Sequence, residues 1–517
     1  MKIVSIGQMK AIEKSANKTG ITYETMMAHA GNGVAEWVLA HLEPKMGVIG
    51  LVGSGNNGGD TLIALTRIAV KGYRTQAFLV RARDEDPLVT EYINAGGVVI
   101  DLTIECTLQY LEAAIGPGSI LLDGMLGTGF HLPMKGSLLS LMTQIHDAIQ
   151  QQPEIMVIAV DCPSGVDCDS GEATEQCLKA DYTLTMAAAK QGLLIEPASS
   201  LTGEITLVDI GIGDISQYIA DDCPILMDEA LAFNLLPKRP DTGHKGTFGT
   251  CLVVAGTRQY TGAAYLAGKA AYLAGCGLVN VATVPAVRES LAGRLIEAVW
   301  TIILENEGGY APSGVKGLRK ALESSDALAL GPGWGLKETN LAFLEALLPM
   351  IPTDLPVVFD ADGLKLLGRI EKWWEKVPAQ TILTPHPGEM SEITGRPIAE
   401  IQANRWNNAK KYAQDWGVTL VLKGAHTVIA LPDGQIFISP VSDSALGTAG
   451  SGDVLTGILG GLLAQGAQPK EAALLGVWLH AFAGIQAHQQ LGGAESVTAL
   501  DILEAIPSAF LKIKRPV

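Results

Sequence analysis

Two consecutive α/β domains, each built on a mainly parallel sheet, are predicted by three features of the sequence. Short apolar runs alternate with stretches of helical period from residue 48 to residue 210. The rhythm stops there and restarts at residue 249. Glycines, 59 in all, gather where the apolar runs end, which is where open parallel sheets place their ligand crevices.

Ahead of the first sheet, residues 8–42 read as two helices. The strands then follow as VIGLVGSG at 48–55, TQAFLV at 75–80, SILLDG at 119–124, IMVIAVD at 155–161 and a late strand at 205–210, with TLIALTRIAV at 61–70 as a helix between the first two. The second series is GTCLVVAG at 249–256, DALALGPG at 326–333, LPVVFDADG at 355–363, TILTPHPGE at 381–389 and VTLVLKG at 418–424, with a helix-rich end from residue 452. An acidic, weakly periodic join near residues 214–228 separates them. The expected domains are 1–218 and 225–517.

A length of 517 residues suits more than one core, since a domain usually takes roughly 100 to 200 residues. Hydrophobic residues make up 48% and charged residues 18%, a globular balance with enough apolar surface for buried parallel sheets. The formal charge is −17, from 37 Lys plus Arg against 54 Asp plus Glu. Long-range attraction to nucleic acid or anionic membranes is therefore not expected, although backbone N–H groups at helix N-termini still bind phosphates in an acidic protein.

Seven cysteines, at 106, 162, 168, 177, 223, 251 and 276, are scattered without CxxC spacing. Neither a disulfide framework nor a zinc site is indicated. The opening residues carry no secretory apolar core, and no apolar stretch reaches the 18 residues of a membrane span. A cytoplasmic enzyme, working as a homo-oligomer on small molecules, is expected.

The first candidate site gathers three strand ends. Gly53-Ser54-Gly55-Asn56-Asn57-Gly58-Gly59-Asp60 follows a strand and opens a helix, so it fits the GxGxxG dinucleotide pattern, which a tight turn without a ligand also fits. Asn amide oxygens at such a place can coordinate a cation or hold a ribose or amide group, and Asp60 can cap the helix. Asp123 heads the turn Asp123-Gly124-Met125-Leu126-Gly127-Thr128-Gly129-Phe130, and Asp161 heads Asp161-Cys162-Pro163-Ser164-Gly165-Val166-Asp167. Any one of these carboxylates reads as a cap. In a parallel sheet, however, all three strand ends face one crevice.

A second candidate site lies at 447–457, where Gly450-Ser451-Gly452-Asp453 leads into an apolar helix. Small residues there let N–H groups converge on an anion at the helix N-terminus, and Asp453 is placed to take a proton from a hydroxyl. Lys423, ending its apolar run, can meet a phosphate as a point charge. His386 sits in a Pro-flanked turn, where a lone His is more often structural. Asp360 and Asp362 can hold Mg²⁺ through water or orient a substrate.

The strings GxGNNGGD, DGxxGTG and DxPSGxD, the last extended to Gly171, occur in this order between residues 53 and 171. In them the first half resembles the NAD(P)H-hydrate epimerases, which implies a Rossmann-like fold. The resemblance implies a K⁺ site at Asn57, Asp123 and Ser164. It also implies that Asn56, Asn57, Gly58, Gly59 and Asp60, with Gly127, Thr128, Gly129, Phe130, His131, Leu132 and Pro133, cradle the hydrated nucleotide. Asp161 meets the reacting nicotinamide end, and Lys190 stands behind it as its catalytic companion. Two departures stand out: Ala28 replaces the family's Glu in Met26-Met27-Ala28-His29-Ala30-Gly31, putting any role of that Glu in doubt, and Thr61 replaces a common glycine, with an effect expected on helix packing alone.

From His244-Lys245-Gly246 through Tyr260 to Ala264, Gly331 to Gly335, DADGLKLL, TPHPGE, KGAHT and the GSGD helix, the second half resembles the ADP-dependent NAD(P)H-hydrate dehydratases. Their fold is ribokinase-like. By this resemblance Lys423, Gly424, Ala425, His426, Thr427 and Gly452 bind ADP or ATP, and Ala263, Gly333, His386 and Asp453 hold the hydrated dinucleotide, with Asp453 as catalytic base. Lys365 stands where the family often has Asn and Trp334 where it often has Leu, so either can alter substrate contacts.

Together the halves resemble bifunctional enzymes that repair hydrated NADH and NADPH, the first interconverting the R and S hydrates and the second dehydrating the S form. Two other classes share part of the pattern. A sugar or vitamin kinase has the same GSGD helix, but KGAHT, TPHPGE and the attached NNGGD domain stand against it. A non-catalytic nucleotide-binding scaffold is favoured only by Ala28, against the retained Asp123, Asp161 and Lys190.

Overall fold

Every strand of the first sheet runs in the same direction. This computed structural model describes residues 1–43, 46–104, 107–152, 154–219 and 222–514, and the chain divides into two compact units, Met1–Pro224 and Ile225–Val517. Cys106, and residues 220 and 221 of the join, lie outside the described residues.

The first sheet has seven strands in the spatial order Val98–Asp101, Thr75–Leu79, Val48–Val52, Ile120–Gly124, Met156–Val160, Tyr182–Met186 and Glu204–Val208. All six pairings are parallel. Helices cover both faces, so strand residues of both parities are buried. Val48 and Val52 join one core cluster, and Ile49 and Leu51 the other. This is why the strands read as unbroken apolar runs in the sequence. Leu62 and Leu65 of the helix Asn56–Val70 are fully buried against one face, where truncation of a leucine to alanine costs about 2 to 5 kcal/mol.

Chain direction around the sheet reverses between Val48–Val52 and Ile120–Gly124, the one place where a parallel sheet of this order opens a crevice at its carboxyl edge. The two strand ends are tightly joined there. Gly53 N donates to Gly124 O at 3.1 Å, and a Cβ on Gly53 would lie 1.9 Å from Met125 O, so only glycine fits.

At the start of the chain Ile3–Val4 pairs in parallel with Ala189–Lys190. The first helix, Ile6–Lys18, is capped by a Ser5 and Gln8 capping box, and its first amide, Ile6 N, donates to Asp169 Oδ1 at 2.8 Å. These bonds fix the helix relative to Lys190.

The second sheet has ten strands ordered Ile225–Leu226, Ile436–Ile438, Val428–Ala430, Thr419–Leu422, Thr381–Leu383, Val357–Phe359, Ala327–Leu330, Thr250–Val254, Leu278–Thr283 and Val299–Ile302. Only the two pairings made by Val428–Ala430 are antiparallel. Its reversal point falls between Thr250–Val254 and Ala327–Leu330. The helix Ser451–Ala464, almost wholly buried, packs on the helix Thr261–Leu273. Cβ atoms on Gly457 and Gly461 would meet Ala267 O at 2.1 Å and Ala271 O at 2.5 Å, so small residues set how closely these helices approach.

The α/β class expected from the sequence, with a parallel sheet in each half, is the class observed. No helix among the described residues is long and apolar enough to cross a membrane. The six described cysteines are buried and free.

Candidate active sites

A cavity of about 750 Å³ opens at the reversal point of the first sheet. Asn56, Asn57 and Asp60 from the first turn of one helix line it, together with Gly127, Thr128, Gly129, Phe130 and Pro133 from the loop after Ile120–Gly124, and Asp161. The remaining residues of those two segments do not. Gly58 and Gly59 turn inward, where a Cβ would meet Gly53 O at 2.0 Å and Met27 Sδ at 2.9 Å. His131 is exposed and lies 3.1 Å from Asp167 Oδ2, and Leu132 is outside the lining.

Asn57 on the cavity wall is linked through Leu126 to the buried pair Ser164 and Asp123. Asp123 is fully buried and accepts from Ser164 N at 2.8 Å and from Ser164 Oγ at 2.5 Å. Burial raises its pKa, and the Ser164 and Met125 hydrogen bonds pull in the other direction. Asn57 Nδ2 donates to Leu126 O at 2.8 Å, while Asn57 Oδ1 is buried and takes no hydrogen bond from any described residue. An unpartnered buried amide oxygen is costly unless a donor or a cation meets it. The donor set is all oxygen and suits a hard ion.

Asp161 stands at φ +66°, in the left-handed region that costs a residue with a side chain on the order of 1 to 3 kcal/mol. The strained turn aims its carboxylate at Lys190. Lys190 Nζ, fully buried, donates to Asp161 Oδ1, to Thr185 Oγ1 at 3.1 Å and to Met186 O at 2.9 Å. Met186 N also donates to Asp161 Oδ1, at 2.9 Å. The bonds from Lys190 and Met186 to Asp161 both use Oδ1, and the residue itself lines the cavity.

Two sequence departures resolve into local packing. Ala28 lines a separate shallow hollow with Thr22, Glu24, Thr25, His29 and Asn32, whereas Met26, Met27 and Ala30 of the same helix line the main cavity. A glutamate at 28 would leave from the hollow's side of the helix. Thr61 Oγ1 donates to Asn57 O at 2.8 Å within its own helix and sits against Gly124. One residue that motif reading passes over, Glu13, comes from the first helix to line the cavity with Asp60 and Asp161. Burial first, then Asp161, raises its pKa, and burial and Asp161 raise that of Asp60 further.

In the second domain the strand ends converge on Asp360. Its carboxylate accepts from Lys423 Nζ at 2.7 Å, Thr384 Oγ1 at 2.7 Å and Thr456 Oγ1 at 2.6 Å. Burial alone would raise its pKa, but Lys423 and the two hydroxyls outweigh it and hold the group below the ordinary carboxylate value. Both oxygens are thus engaged, which makes Asp360 an internal anchor for Lys423 and a poor direct ligand for Mg²⁺. Asp362 Oδ2 accepts from Gly335 N at 2.7 Å.

Asp453, in the first turn of the helix Ser451–Ala464, has its pKa pushed up to about 7, by burial first and then by Asp360, with Asp362 and Glu389 adding to the rise and Lys423 opposing it. A base poised near neutral pH is suited to proton transfer from a hydroxyl. Gly452 lies beside Lys423, since a Cβ there would be 3.3 Å from Lys423 Nζ. The turn after Lys423 is held by Arg405, which donates to Ala425 O at 2.8 Å and to Leu422 O and Lys423 O at 3.2 Å, while Thr427 Oγ1 donates to Gly424 O at 3.0 Å. Gly424 at φ +138° and His426 at φ +48° shape it, and His426 Nδ1 lies 3.0 Å from Ser439 O. Ala263 and Gly333 face each other across the reversal point: a Cβ on Gly333 would stand 2.8 Å from that of Ala263.

His386 caps the helix Pro387–Thr394, its Nδ1 accepting from Gly388 N at 3.0 Å and Glu389 N at 3.2 Å. Those two donors assign the proton of the neutral ring to Nε2. Burial lowers its pKa, with Lys423 and Lys365 adding to that and Glu389 opposing it. Trp334, by contrast, is core: Nε1 donates to Val254 O at 2.8 Å, and the ring meets Tyr310 and Phe343 edge-on. His480, on the helix Pro469–Leu491, is a second residue the motifs do not reveal. Its Nε2 lies 2.9 Å from both Ser451 Oγ and Ser451 O, and burial holds its pKa down at about 4.

Residues 23–192 match the family model described as YjeF-related protein N-terminus, and residues 251–508 match that of NAD(P)H-hydrate dehydratase. A bifunctional NAD(P)H-hydrate repair enzyme of Moorella thermoacetica is 35% identical, over 100% of this chain and 98% of its own. One of Thermofilum pendens is 33% identical over 99% and 97%, and one of Escherichia coli 30% identical over 90% and 86%. Among solved structures, an ADP/ATP-dependent NAD(P)H-hydrate dehydratase of Bacillus subtilis, co-crystallised with ATP and Mg²⁺, is 32% identical with a TM-score of 0.49, covering 57% of this chain and 100% of that one. Matched along its whole length at this identity, with its two halves in the same order, the chain belongs to the family of bifunctional NAD(P)H-hydrate repair enzymes.

Proposed function

We propose that the first domain interconverts the R and S forms of hydrated NADH and NADPH, and that the second dehydrates the S form with ADP or ATP, releasing phosphate and AMP or ADP. The observation that carries this is that each sheet's crevice has its own carboxylate and lysine: Asp161 on Lys190 in one, Asp453 beside Lys423 in the other. The division into residues 1–218 and 225–517 belongs to the same proposal, with Ile3 N bonded to Pro224 O at 2.8 Å holding the intervening tail to the first domain.

In the first domain the hydrated nucleotide lies along Asn56 to Asp60 and Gly127 to Pro133, with its phosphates toward the N-terminus of the helix Asn56–Val70. Asn57, Asp123 and Ser164 would hold K⁺, which supplies charge to satisfy Asn57 Oδ1 and fixes the loop that carries Leu126. Asp161, aimed by its strained turn and held by Lys190, takes the proton of the C6 hydroxyl.

In the second domain the adenine nucleotide occupies the turn from Lys423 to Thr427 and the Gly452 edge of the helix N-terminus, and Ala263, Gly333 and His386 hold the dinucleotide. Asp453 removes the proton of the ring hydroxyl as its oxygen attacks the terminal phosphorus; the phosphate ester then leaves as inorganic phosphate while C5 loses a proton, restoring the dihydropyridine. Because both oxygens of Asp360 are taken, Mg²⁺ would be brought in by the nucleotide's phosphates rather than held by Asp360, and would supply charge against them.

The test is to incubate the purified protein with mixed-epimer NADH hydrate and ADP and follow the reduced nicotinamide absorbance. Full recovery requires both activities. Recovery that stops at the S fraction removes the epimerase, and accumulation of a phosphorylated product without NADH points to a kinase.

A further inference from the structure

Exchange at C6 needs an acid as well as a base. The carbon carries a hydroxyl and the ring nitrogen, so ring opening removes the hydroxyl proton, breaks the C6–N1 bond with its electron pair moving to N1, and delivers a proton to N1. The aldehyde then turns, and closure reverses both transfers, leaving the proton count unchanged. Asp161 supplies only one of the two groups.

The first helix presents Ile6, Met9, Lys10 and Glu13 to the cavity, a spacing of three, four and seven residues that defines a single helix face. Glu13 is the acid on that face. The helix is fixed to the rest of the site at its start: Ile3–Val4 pairs with Ala189–Lys190, and Ile6 N is bonded to Asp169. The wall bearing Glu13 and the lysine holding Asp161 are therefore registered by the same short strand pair.

We propose that Glu13 is the general acid of the C6 exchange, working with Asp161 as base. This rests on the epimerase function proposed above. Of the carboxyl groups lining the cavity, Glu13, Asp60 and Asp161 act on one another electrostatically, and the buried ammonium of Lys190 is bonded to Asp161. Lys190 is committed to Asp161, so Glu13, on the cavity face of the first helix, is the carboxyl assigned to give the proton. Burial and then the charge of Asp161 push its pKa up, against Lys190 and Lys10, which supports that division. Two groups with environments pushed apart in this way divide the roles of acid and base. The other charged groups on the cavity wall are Glu24 from the second helix, and Arg81 and Lys135 from the loops after the neighbouring strands. Burial and then Asp161 raise the pKa of Asp60 as well, but at 8% exposure it lies deeper, within the turn proposed to cradle the nucleotide. Glu13 is half-buried on a longer side chain.

Glu13→Gln in the full chain tests this, with R-to-S exchange of NADH hydrate measured above its spontaneous rate from pH 6 to 9. The expected result is a loss of about 10²- to 10⁴-fold in kcat, an unchanged KM, and disappearance of the alkaline limb that titration of a general acid gives the wild-type profile. Dehydration of the S hydrate serves as the internal control and should not change. Glu13→Asp, which keeps the carboxyl, should restore part of the rate and the alkaline limb, and it is the deciding variant if the glutamine form melts early. Wild-type exchange and an intact limb in Glu13→Gln, or a limb that vanishes only in Asp60→Asn, overturns the assignment. Absence of exchange in the wild-type protein overturns the epimerase function itself.

Discussion

Lys423 Nζ rests 2.7 Å from Asp360 Oδ1 and 3.7 Å from Glu389 Oε2, and the Asp360 side chain is buried to within 1% of full enclosure. The lysine proposed to face the nucleotide is thus held in place by carboxylates of the fold. Removing it would leave Asp360 with two hydroxyls and no cation. Breaking a buried pair from one side typically costs about 3 to 5 kcal/mol, more than the pair itself contributes. Lys423→Met should therefore lower the stability of the second domain by about that amount in urea unfolding, and weaken ADP binding. Adding Asp360→Leu should recover part of the stability but none of the binding. A single variant as stable as its parent would show that water or a rearranged hydroxyl network carries the charge.

His480 and Asp453 give the second domain opposing pH responses. His480 goes from an ordinary 6.5 to about 4 in the fold. Its depressed pKa means the unfolded chain binds more protons, so stability is lost as pH falls from 6.5 toward 4, by up to about 3 kcal/mol. Asp453 goes from 3.8 to about 7. Here the fold retains the proton, and stability is lost as pH rises from 4 through 7, by a similar order of about 3 kcal/mol after allowance for its partial exposure. The two slopes nearly cancel between pH 4 and 6.5. Asp453→Asn removes one of them: the variant should be more stable than wild type at pH 8, and should lose stability steadily below pH 6.5. Equal urea midpoints for the two proteins at pH 8 would falsify the raised Asp453 pKa.

Strand ends are legible in the sequence, and the groups they meet are not. Asp123 and Asp161 each follow an apolar run, and parallel strands of one sheet bring such ends to one edge without further information; the Gly450 to Asp453 turn is legible instead by the apolar helix it opens. Glu13 carries no such sign. Its place in the cavity depends on a two-residue strand pair, Ile3–Val4 with Ala189–Lys190, too short for any periodicity to reveal. His480 lies on a helix buried almost all round, where a histidine has no distinguishing pattern. The DADG motif reads as two carboxylates available to a metal or substrate, yet Asp360 turns inward because Lys423, Thr384 and Thr456, from three distant segments, close on it. Gly58 and Gly59 belong to the nucleotide-cradling motif, but their lack of a side chain serves close packing beneath it.

The unpartnered Asn57 Oδ1 makes the proposed cation site of the first domain testable. Replacing potassium with tetramethylammonium, whose methyl groups keep oxygen ligands from its charge, should slow R-to-S exchange while leaving S dehydration unaffected. Asn57→Ala should remove the sensitivity along with most of the activity. Equal exchange rates in the two salts would take the ion out of the mechanism.

The two chemistries should separate by single substitutions, because their carboxylates belong to different sheets. Asp453→Asn keeps the size and most of the hydrogen-bonding capacity of the side chain but removes the base, which typically costs about 10²- to 10⁴-fold in rate. Dehydration of the S hydrate should collapse, and R-to-S exchange should continue unchanged, since Asp161 and Lys190 are untouched. Asp161→Asn should do the opposite: Lys190 then faces a neutral amide, exchange stops, and a mixed sample with ADP returns only its S fraction beyond the spontaneous rate. The comparison depends on each variant remaining folded, so both are first checked for a cooperative melt. Should a well-folded Asp453→Asn protein lose both activities, the carboxylates do not serve independent sites, and the two-site assignment fails.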